Sequence, residues 1–302
     1  MGDINTSNFW ATTEPVRRKY LTQGKKDILK VLNKVFKVGT ADEPQRKVME
    51  IGGPGQMMRK TEGANIASLT MRISSEKAVL LETYAGKMSF SWEFAQDNKV
   101  KEVAKAAKAL GRSVELTKEY VGALVLDRAF NSSYGVTHDG NELCATDHLI
   151  VGTNSSTGAN CGSTHAALSE TALEDVYTSL STMIGADGML APRIAKKLVV
   201  PAALQHTAKK LIRPGKTLGS ANNDDKVVGD DLELVVHPYL SSSTRWFVLT
   251  DAGDGLFWEN AVDGEFMEDN DTAGNLDKVF VVVSRFRNGC DEWRHVWGVN
   301  AS

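Results

Sequence analysis

The sequence predicts an α+β fold. Helix and strand patterns mix along the chain without regular βαβ alternation, which argues against a doubly wound sheet. One pattern dominates the rest. Between Asn98 and Val125, apolar or small residues recur at Val100, Val103, Ala107, Leu110, Val114, Val121, Leu124 and Val125. That is the 3.6-residue spacing of a single buried stripe, and Lys101, Lys105, Lys108, Arg112, Glu115, Lys118 and Glu119 fill the solvated face between. About 30 residues at roughly 1.5 Å each make a rod of about 45 Å, far beyond the usual helix of about 11 to 12 residues. Such a rod spans its subunit as a spine. Asp97 or Asn98 is placed to cap its start, and Asn131-Ser132-Ser133 with Gly135 ends the run.

Upstream of the spine, residues 1–47 read as an arm. Lys25 to Phe36 has helical spacing, with Ile28, Leu29, Val31, Leu32, Val35 and Phe36 apolar. Too little follows to enclose a core, and Ala41-Asp42-Glu43-Pro44 breaks the pattern. An arm of this kind must borrow a neighbour's surface to bury its apolar face. Residues 48–94 read as an extended β loop with a mobile tip. Ile51 to Gly55 is turn chemistry, Met71–Ile73 and Val79–Tyr84 suit the strands of a hairpin, and Phe90 to Phe94 alternates at period two. An isolated ribbon is marginal in water, so this one also needs a partner.

Downstream, helix patterns cover Ser169–Ile184 and Pro201–Ile212. Ser169 or Thr171 serves as N-cap of the first, Thr171 and Glu174 fitting a capping box. Pro201 sits at the first position of the second, and Arg213-Pro214-Gly215 stops it. Lys197–Val200, Leu232–His237, Arg245–Thr250 and Val279–Arg287 read as strands, with Asn288-Gly289 as a hairpin turn into Cys290–Trp297.

Composition bounds the class. The 302 residues are 42% hydrophobic and 24% charged, ample for one or two cores. No apolar run approaches the roughly 18 residues that cross a bilayer, so no membrane partner is expected. The N-terminus lacks a basic-then-apolar secretory pattern, so the mature chain is expected to begin near Met1; the myristoylation match of MGDINT is too short to act on. Cys144, Cys161 and Cys290, odd in number and widely spaced, read as reduced thiols.

Charge is segregated within a net of −3. Residues 1–40 carry eight Lys/Arg against three acids, whereas residues 251–277 carry nine acids and no Lys or Arg. Two solvated segments are the plain reading; contacts of opposite sign between neighbouring copies are the sharper one.

No motif carries catalytic chemistry. His138, Asp139, Cys144, Asp147 and His148, with Cys161 and His165 beyond, offer zinc-ligand types without zinc spacing. Gly215-Lys216-Thr217 has only the tail of a phosphate loop. Asp251-Ala252-Gly253-Asp254-Gly255 resembles part of a calcium loop but puts Ala261 where the closing acid belongs. No serine sits in G-x-S-x-G. The expectation is no catalytic, cofactor or metal residue, no cofactor, and no enzyme. Trp10, Trp92, Trp246, Trp258, Trp293 and Trp297 are expected as core or interface anchors.

The segment after the spine carries a resemblance. AFNSSYG, HDGNEL and ATDHL between Ala129 and Leu149 resemble the block that follows the spine helix in Mu-like prophage major head subunits, of the Hong Kong 97 phage-type capsid fold. LSETALEDVYTSLSTMIGADG (Leu168 to Gly188), LVVPAALQHTAKKLI (Leu198 to Ile212), VVHPYLSSSTRWFVLTD (Val235 to Asp251) and, upstream, MEIGGPGQMMRKTEGANI (Met49 to Ile66) continue it in order over roughly residues 45 to 297. The resemblance implies a major capsid protein of a tailed phage or prophage. Its expected parts are an N-terminal arm (1–47), an extended loop (48–94), a peripheral domain with the spine (95–164), an axial domain (165–277) and a return to the peripheral domain (278–302). It implies hexamers and pentamers of the chain itself in an icosahedral shell around double-stranded DNA, assembled in the host cytoplasm as a procapsid that later expands. Further expected partners are a separate scaffolding protein, a maturation protease, a portal protein, a decoration protein, and packaged DNA on the inner face, where the basic arm can meet it. Some such shells are cross-linked through a lysine; Lys60, Lys77 and Lys87 lie in the loop but match no motif, and read as solvated. An encapsulin-like compartment shell of the same fold is the alternative.

Overall fold

A computed structural model describes residues 6–93, 97, 100–153, 156–162, 165–212, 231–253, 255–271 and 277–301, with only the backbone course given for 6–12 and 269–271. The chain opens with helix α1 (Thr6–Lys26), then the single turn α2 (Leu32–Val35). The helix expected over 25–36 is therefore broken at 27–31. The Glu119 carboxylate causes the break, accepting from the backbone N–H of Val31 at 3.0 Å and of Leu32 at 3.2 Å, so α2 starts afresh against the spine.

Strands β1 (Lys37–Thr40), β2 (Gln45–Val48), β3 (Ile51–Gly52), β4 (Arg72–Ile73), β5 (Lys77–Leu80) and β6 (Glu82–Phe90) follow. The expected hairpin of 71–73 with 79–84 is not formed. Instead β4 pairs with β3, β5 with β2, and β6 with a strand near the C-terminus, all antiparallel. The loop thus closes on its own base in two short ribbons. The strand expected from Phe90 ends at that residue, and Trp92–Glu93 begin a helical turn.

The spine is helix α3 (Val100–Asp127), 28 residues long, its buried residues including Val103, Ala107, Leu110, Gly111, Val114 and Leu126. Its expected cap at Asn98 lies outside the described residues. After two short strands, β7 (His148–Leu149) and β8 (Thr157–Gly158), helix α4 (Glu170–Ser181) starts at Ser169, whose hydroxyl accepts from the Ala172 N–H at 3.2 Å. Strand β9 (Ala195–Pro201) absorbs the proline expected to open a helix; a 3-10 turn (Ala202–Leu204) separates it from α5 (Gln205–Ile212), whose expected stop lies outside the described residues.

Strands β10 (Glu233–His237), β11 (Trp246–Thr250), β12 (Leu256–Asp271), β13 (Asp277–Cys290) and β14 (Val296–Val299) complete two four-stranded sheets. The first has the order β1-β12-β13-β6 and the second β10-β9-β11-β14. Asn288-Gly289 is not a turn: β13 runs through both residues, opposite Trp258 and Phe257. The glycine serves a ring, since a Cβ at Gly289 would lie 2.7 Å from the Phe257 side chain. Residues 278–302 serve both sheets, β13 in the first and β14 in the second.

The apolar core falls into three clusters, the first of them shared by both sheets. Phe36, Leu126, Phe247, Trp258 and Phe286 join the spine's C-terminal half to both sheets, with the Trp258 and Phe286 rings stacked at 4.5 Å. Leu173, Val176 and Leu180 of α4 pack with Leu198, Trp246 and Val248 on the second sheet. Leu21 of α1, Leu110 and Val114 of α3, and Phe280 and Val282 of β13 form a third cluster.

Candidate assembly site

The base of the extended loop is fastened by buried charge. Glu50, between β2 and β3, pairs with Arg294, which is fully buried just before β14. Arg294 also donates from Nε to the Ile184 carbonyl at 2.7 Å. The other carboxylate oxygen of Glu50 faces Nε2 of buried His138 at 3.5 Å. Burial disfavours the charged form of His138 and lowers its pKa, although Glu50 and Asp139 pull the other way. Beside it Asp139 meets Nδ1 of His148 at 2.9 Å and accepts from the Thr137 hydroxyl and the Asn141 and Leu149 N–H groups. Burial works against that carboxylate, but the bonds from His148 and Thr137 outweigh it and hold its pKa well below the usual range. The His148 ring stacks on Trp293 at 4.5 Å.

Strand β2 is held in the same way. Arg46 pairs with Glu259 of β12 and with Asp291 at 2.5 Å, its guanidinium 4.2 Å from the centre of the Phe257 ring. Backbone contact adds to the grip: a Cβ on Gly52 would lie 2.8 Å from the Ala186 carbonyl oxygen.

Beyond this base the loop is bare. Met57, Met58 and Ile66 are 83%, 75% and 81% exposed, and Leu69, Met71 and Ile73 are exposed with them. Scattered exposed apolar residues are ordinary, but these fall within one segment of 17 residues that ends in the fastened strand β4. Methionine's unbranched, polarizable side chain suits a surface that must mould itself to a partner.

The arm, in contrast, lies on its own chain. α1 crosses the spine with glycine against backbone on both sides: a Cβ on Gly24 would stand 2.1 Å from the Lys108 carbonyl oxygen, and one on Gly111 2.1 Å from that of Leu21. Some of the charge segregation is consumed within the subunit. Arg17 pairs with Glu268, and Lys25 (3.9 Å) and Lys118 with Asp263, so these acids of β12 answer the arm and spine of the same chain.

The residues singled out from sequence separate accordingly. His138, Asp139 and His148 come together, but as a network tied to Glu50 and Arg294. Cys144 is instead in the apolar core, while Asp147 and His165 are exposed. Among the described residues no group of three or more His, Cys, Asp or Glu is disposed to hold a metal ion. Asp251 accepts from the Ile194 N–H at 3.0 Å and stitches β9 to β11; Asp254 and Gly215-Lys216-Thr217 lie outside the described residues. Lys77 donates to the Gly135 carbonyl, whereas Lys60 and Lys87 are exposed. Trp246, Trp258, Trp293 and Trp297 are buried and Trp92 is largely exposed; the side chain of Trp10 is outside the described set. Sequence reasoning missed Glu50 and Arg294, whose only signal is a charge set within an apolar run.

A family model described as phage capsid protein matches residues 75–299, three quarters of the chain. The chain belongs to the phage capsid protein family. It is a major capsid protein with the Hong Kong 97 phage-type fold, a structural shell-forming subunit located in the virion capsid. Solved structures agree on the fold at low identity. The capsid of the native GTA particle is 13% identical with a TM-score of 0.55, covering 89% of each chain. The virus-like particle from Pyrococcus furiosus is 14% identical with a TM-score of 0.54, over 95% of this chain and 98% of that one. The Mycobacterium phage Patience structure is 13% identical with a TM-score of 0.57, over 98% and 88%. No curated protein sequence matches the chain.

Proposed function

We propose that this capsid protein assembles into hexamers and pentamers that close an icosahedral shell around packaged double-stranded DNA. The observation that carries the reading is the loop of residues 53–71, fastened at its base and apolar at its tip. A tip that cannot bury its methionines against its own chain gains free energy by lying across a neighbour, at roughly 25 cal/mol per Å² removed from water. Because each copy both offers a loop and receives one, modest contacts multiply around a closed ring. In this reading residues 1–47 are the arm, 48–94 the extended loop, 95–164 the peripheral domain, 165–277 the axial domain and 278–302 the return. Assembly takes place in the host cytoplasm with a separate scaffolding protein, a maturation protease and a portal protein, and a decoration protein can join the finished shell.

A compartment shell that holds protein cargo is the second reading, favoured by the near-complete overlap with the virus-like particle from Pyrococcus furiosus. The test is a deletion of residues 55–70, which spares β3 and β4. The subunit is expected to fold, by circular dichroism, yet to give no closed particles in negative-stain images. Wild-type-like particles from the deletion would overturn the role of the loop, and cargo-filled cages free of DNA from the intact chain would favour the compartment.

A further inference from the structure

The three cysteines are widely spaced in the sequence but gather in the fold. Cys144 and Cys290 are buried in the cluster shared by the two sheets, and Cys161 packs against that same cluster. All three are free thiols. Gly298 of β14 marks where two of them approach. A Cβ placed on it would lie 2.5 Å from Cys144 Sγ and 3.1 Å from Cys144 Cβ, so Cys144 fills the space that the glycine leaves open. Cys161 is bridged to the same glycine in parallel register. Residues paired across strands about 4.8 Å apart carry their side chains on one face. Cys161 therefore shares the face of Gly298 that Cys144 covers.

Asn160 holds the two segments in this position. Its buried side chain accepts from the Ala145 N–H at 2.9 Å and donates to the Leu143 carbonyl at 2.7 Å. Its backbone N–H donates to the Ala145 carbonyl at 3.1 Å. Both neighbours of Cys144 are thus bonded to the residue that precedes Cys161. Between them β7 and β8 pair antiparallel, so the chain turns back and brings both thiols to the same end. A disulfide joins Cβ atoms about 3.5–4.5 Å apart, a separation open to segments tied at adjoining residues. The third thiol is engaged elsewhere, Cys290 Sγ donating to the Glu292 carbonyl at 3.2 Å. Cys161 is the partly exposed one, and it lines a cleft of about 370 Å³ with Ala172, Asp175 and Trp246.

We propose that Cys144 and Cys161 form a disulfide by exchange with a small organic disulfide, closing residues 144–161 into a covalent ring beside β14. The Cys161 thiolate attacks one sulfur of the small disulfide, breaks its S–S bond and releases one thiolate. The Cys144 thiolate then attacks Cys161 Sγ, breaks the mixed disulfide and releases the second. The two cysteine protons pass to the departing thiolates, so the protein is oxidised and the small disulfide is reduced to two thiols. Burial pushes the Cys144 thiol well up and that of Cys161 to about 11, so the attacking thiolate is scarce near neutrality and the bond forms slowly. Thiols of this kind stay reduced in a reducing interior and join in the oxidising surroundings of a virion. The ring includes Gly158, where a Cβ would stand 2.8 Å from the Trp293 ring, so the bond fastens the segment after the spine to the C-terminal strands. The proposal does not depend on hexamers or pentamers.

The purified full-length chain is incubated with 2-hydroxyethyl disulfide, quenched in acid, unfolded, alkylated and cut beside Asp147 for mass spectrometry. The expected result is alkylation at Cys290 alone, with the Cys144 and Cys161 peptides linked until reduction. Between about pH 7 and 9 the rate should rise about tenfold per unit, following the thiolate fraction. The oxidised chain should melt about 6 °C above the reduced one, a difference that dithiothreitol abolishes. Cys290→Ala should still form the bond, while Cys161→Ala should keep its remaining thiols free and show no shift. A linkage that includes Cys290, a bond between two chains, a mixed disulfide at Cys161 that never closes, or three free thiols after treatment overturns the proposal. A bond that leaves the melting midpoint unmoved refutes the fastening.

Discussion

Replacing Gly111 by alanine asks whether the arm lies on its own spine, and the sign of the effect answers. In the middle of a helix, Gly→Ala is stabilising by about 0.8–1.0 kcal/mol, because alanine has less backbone freedom to lose. At this crossing the new methyl carbon would sit 2.1 Å from the Leu21 carbonyl oxygen, about 1.3 Å inside the 3.4 Å of ordinary contact. The obstacle is backbone, so no side-chain rotation relieves it, and the helices must part above the Leu21–Leu110–Val114–Phe280–Val282 cluster. Overpacking of this kind costs about 1–3 kcal/mol, and a rigid clash belongs at the upper end. The balance is a loss of about 1–2 kcal/mol, with Gly24→Ala, whose methyl meets the Lys108 carbonyl, behaving alike. Gly122→Ala is the control: its methyl meets Leu32 Cδ1 at 3.3 Å and Phe36 Cε2 at 3.4 Å, side chains able to give, so it should be neutral or stabilising. Urea unfolding of the isolated subunit measures the differences, and hydrogen exchange in α1 reports its release. A stabilised Gly111→Ala subunit with α1 amides no less protected than in the wild type would refute the docking.

Three further outcomes follow from the buried polar groups. Glu50→Ala leaves the Arg294 guanidinium buried without its carboxylate and should cost about 3–5 kcal/mol; a Glu50→Ala/Arg294→Met double variant should recover part of that in urea melts, and a cycle with no coupling would deny the pair. Asn160→Asp should cost at least about 3 kcal/mol by the same assay, because the side-chain NH2 donates to the Leu143, Trp293 and Val296 carbonyls at 2.7, 3.0 and 3.0 Å and the carboxylate oxygen that replaces it would face those three acceptors, while the other oxygen keeps the Ala145 N–H. His237, buried with neither ring nitrogen hydrogen-bonded among the described residues, has its pKa lowered to about 4 by burial, with Asp127 opposing. The unfolded chain, with its histidine near 6.5, then binds the extra proton first. Stability should fall as pH drops from about 6.5 to 4, by about 3 kcal/mol from this residue. His237→Leu should flatten that part of the profile; an unchanged slope would place the sensitivity elsewhere, His138 and His295 being depressed in the same direction.

The elements legible in the sequence are those whose stability is local or fully apolar. The spine is one, since its stripe repeats over 28 residues, although Glu115, Lys118 and Glu119, which read as its solvated face, are buried against the arm segment and β12. The strands around 197–200, 232–237 and 245–250 are others, being short apolar runs inside a buried sheet. What escaped depends on distant partners. β12 looks like an acidic surface because Asp263 and Glu268 are answered by Lys118 and Arg17 from remote parts of the chain and by Lys278 on the adjacent strand β13. α1 escaped because Arg17, which reads as solvated, is buried between Glu268 and the face of Phe280. The pairing of the loop strands is set where Gly52 meets the Ala186 and Gly152 backbones, a contact that no local pattern announces. The polar cluster after the spine was visible as a cluster, yet its purpose came from Arg294 and Glu50, which are 244 residues apart.

Those partners share a location that explains how one chain can be both firm and adaptable. The interior of each sheet is held by apolar contacts, Trp258 on Phe286 in the first and Trp246 beside Val248 and Leu198 in the second, with Arg287–Glu259 and Lys278–Glu268 pairing β13 to β12 beside them. Where the loop base, the second sheet and the C-terminal strands meet, charged pairs join the apolar contacts: Arg46 with Glu259 and Asp291, Glu50 with Arg294, and Arg193 with Glu292. Close-packed interiors resist continuous deformation. A charged pair instead holds one geometry well and leaves both groups unsatisfied at intermediate separations, so a junction built from such pairs favours discrete positions. In the assembly proposed above, each subunit presents the same loop to neighbours at more than one angle without loosening its cores. Placing buried charge at the root of the loop, with the apolar moulding surface at its tip, divides those two demands between different residues.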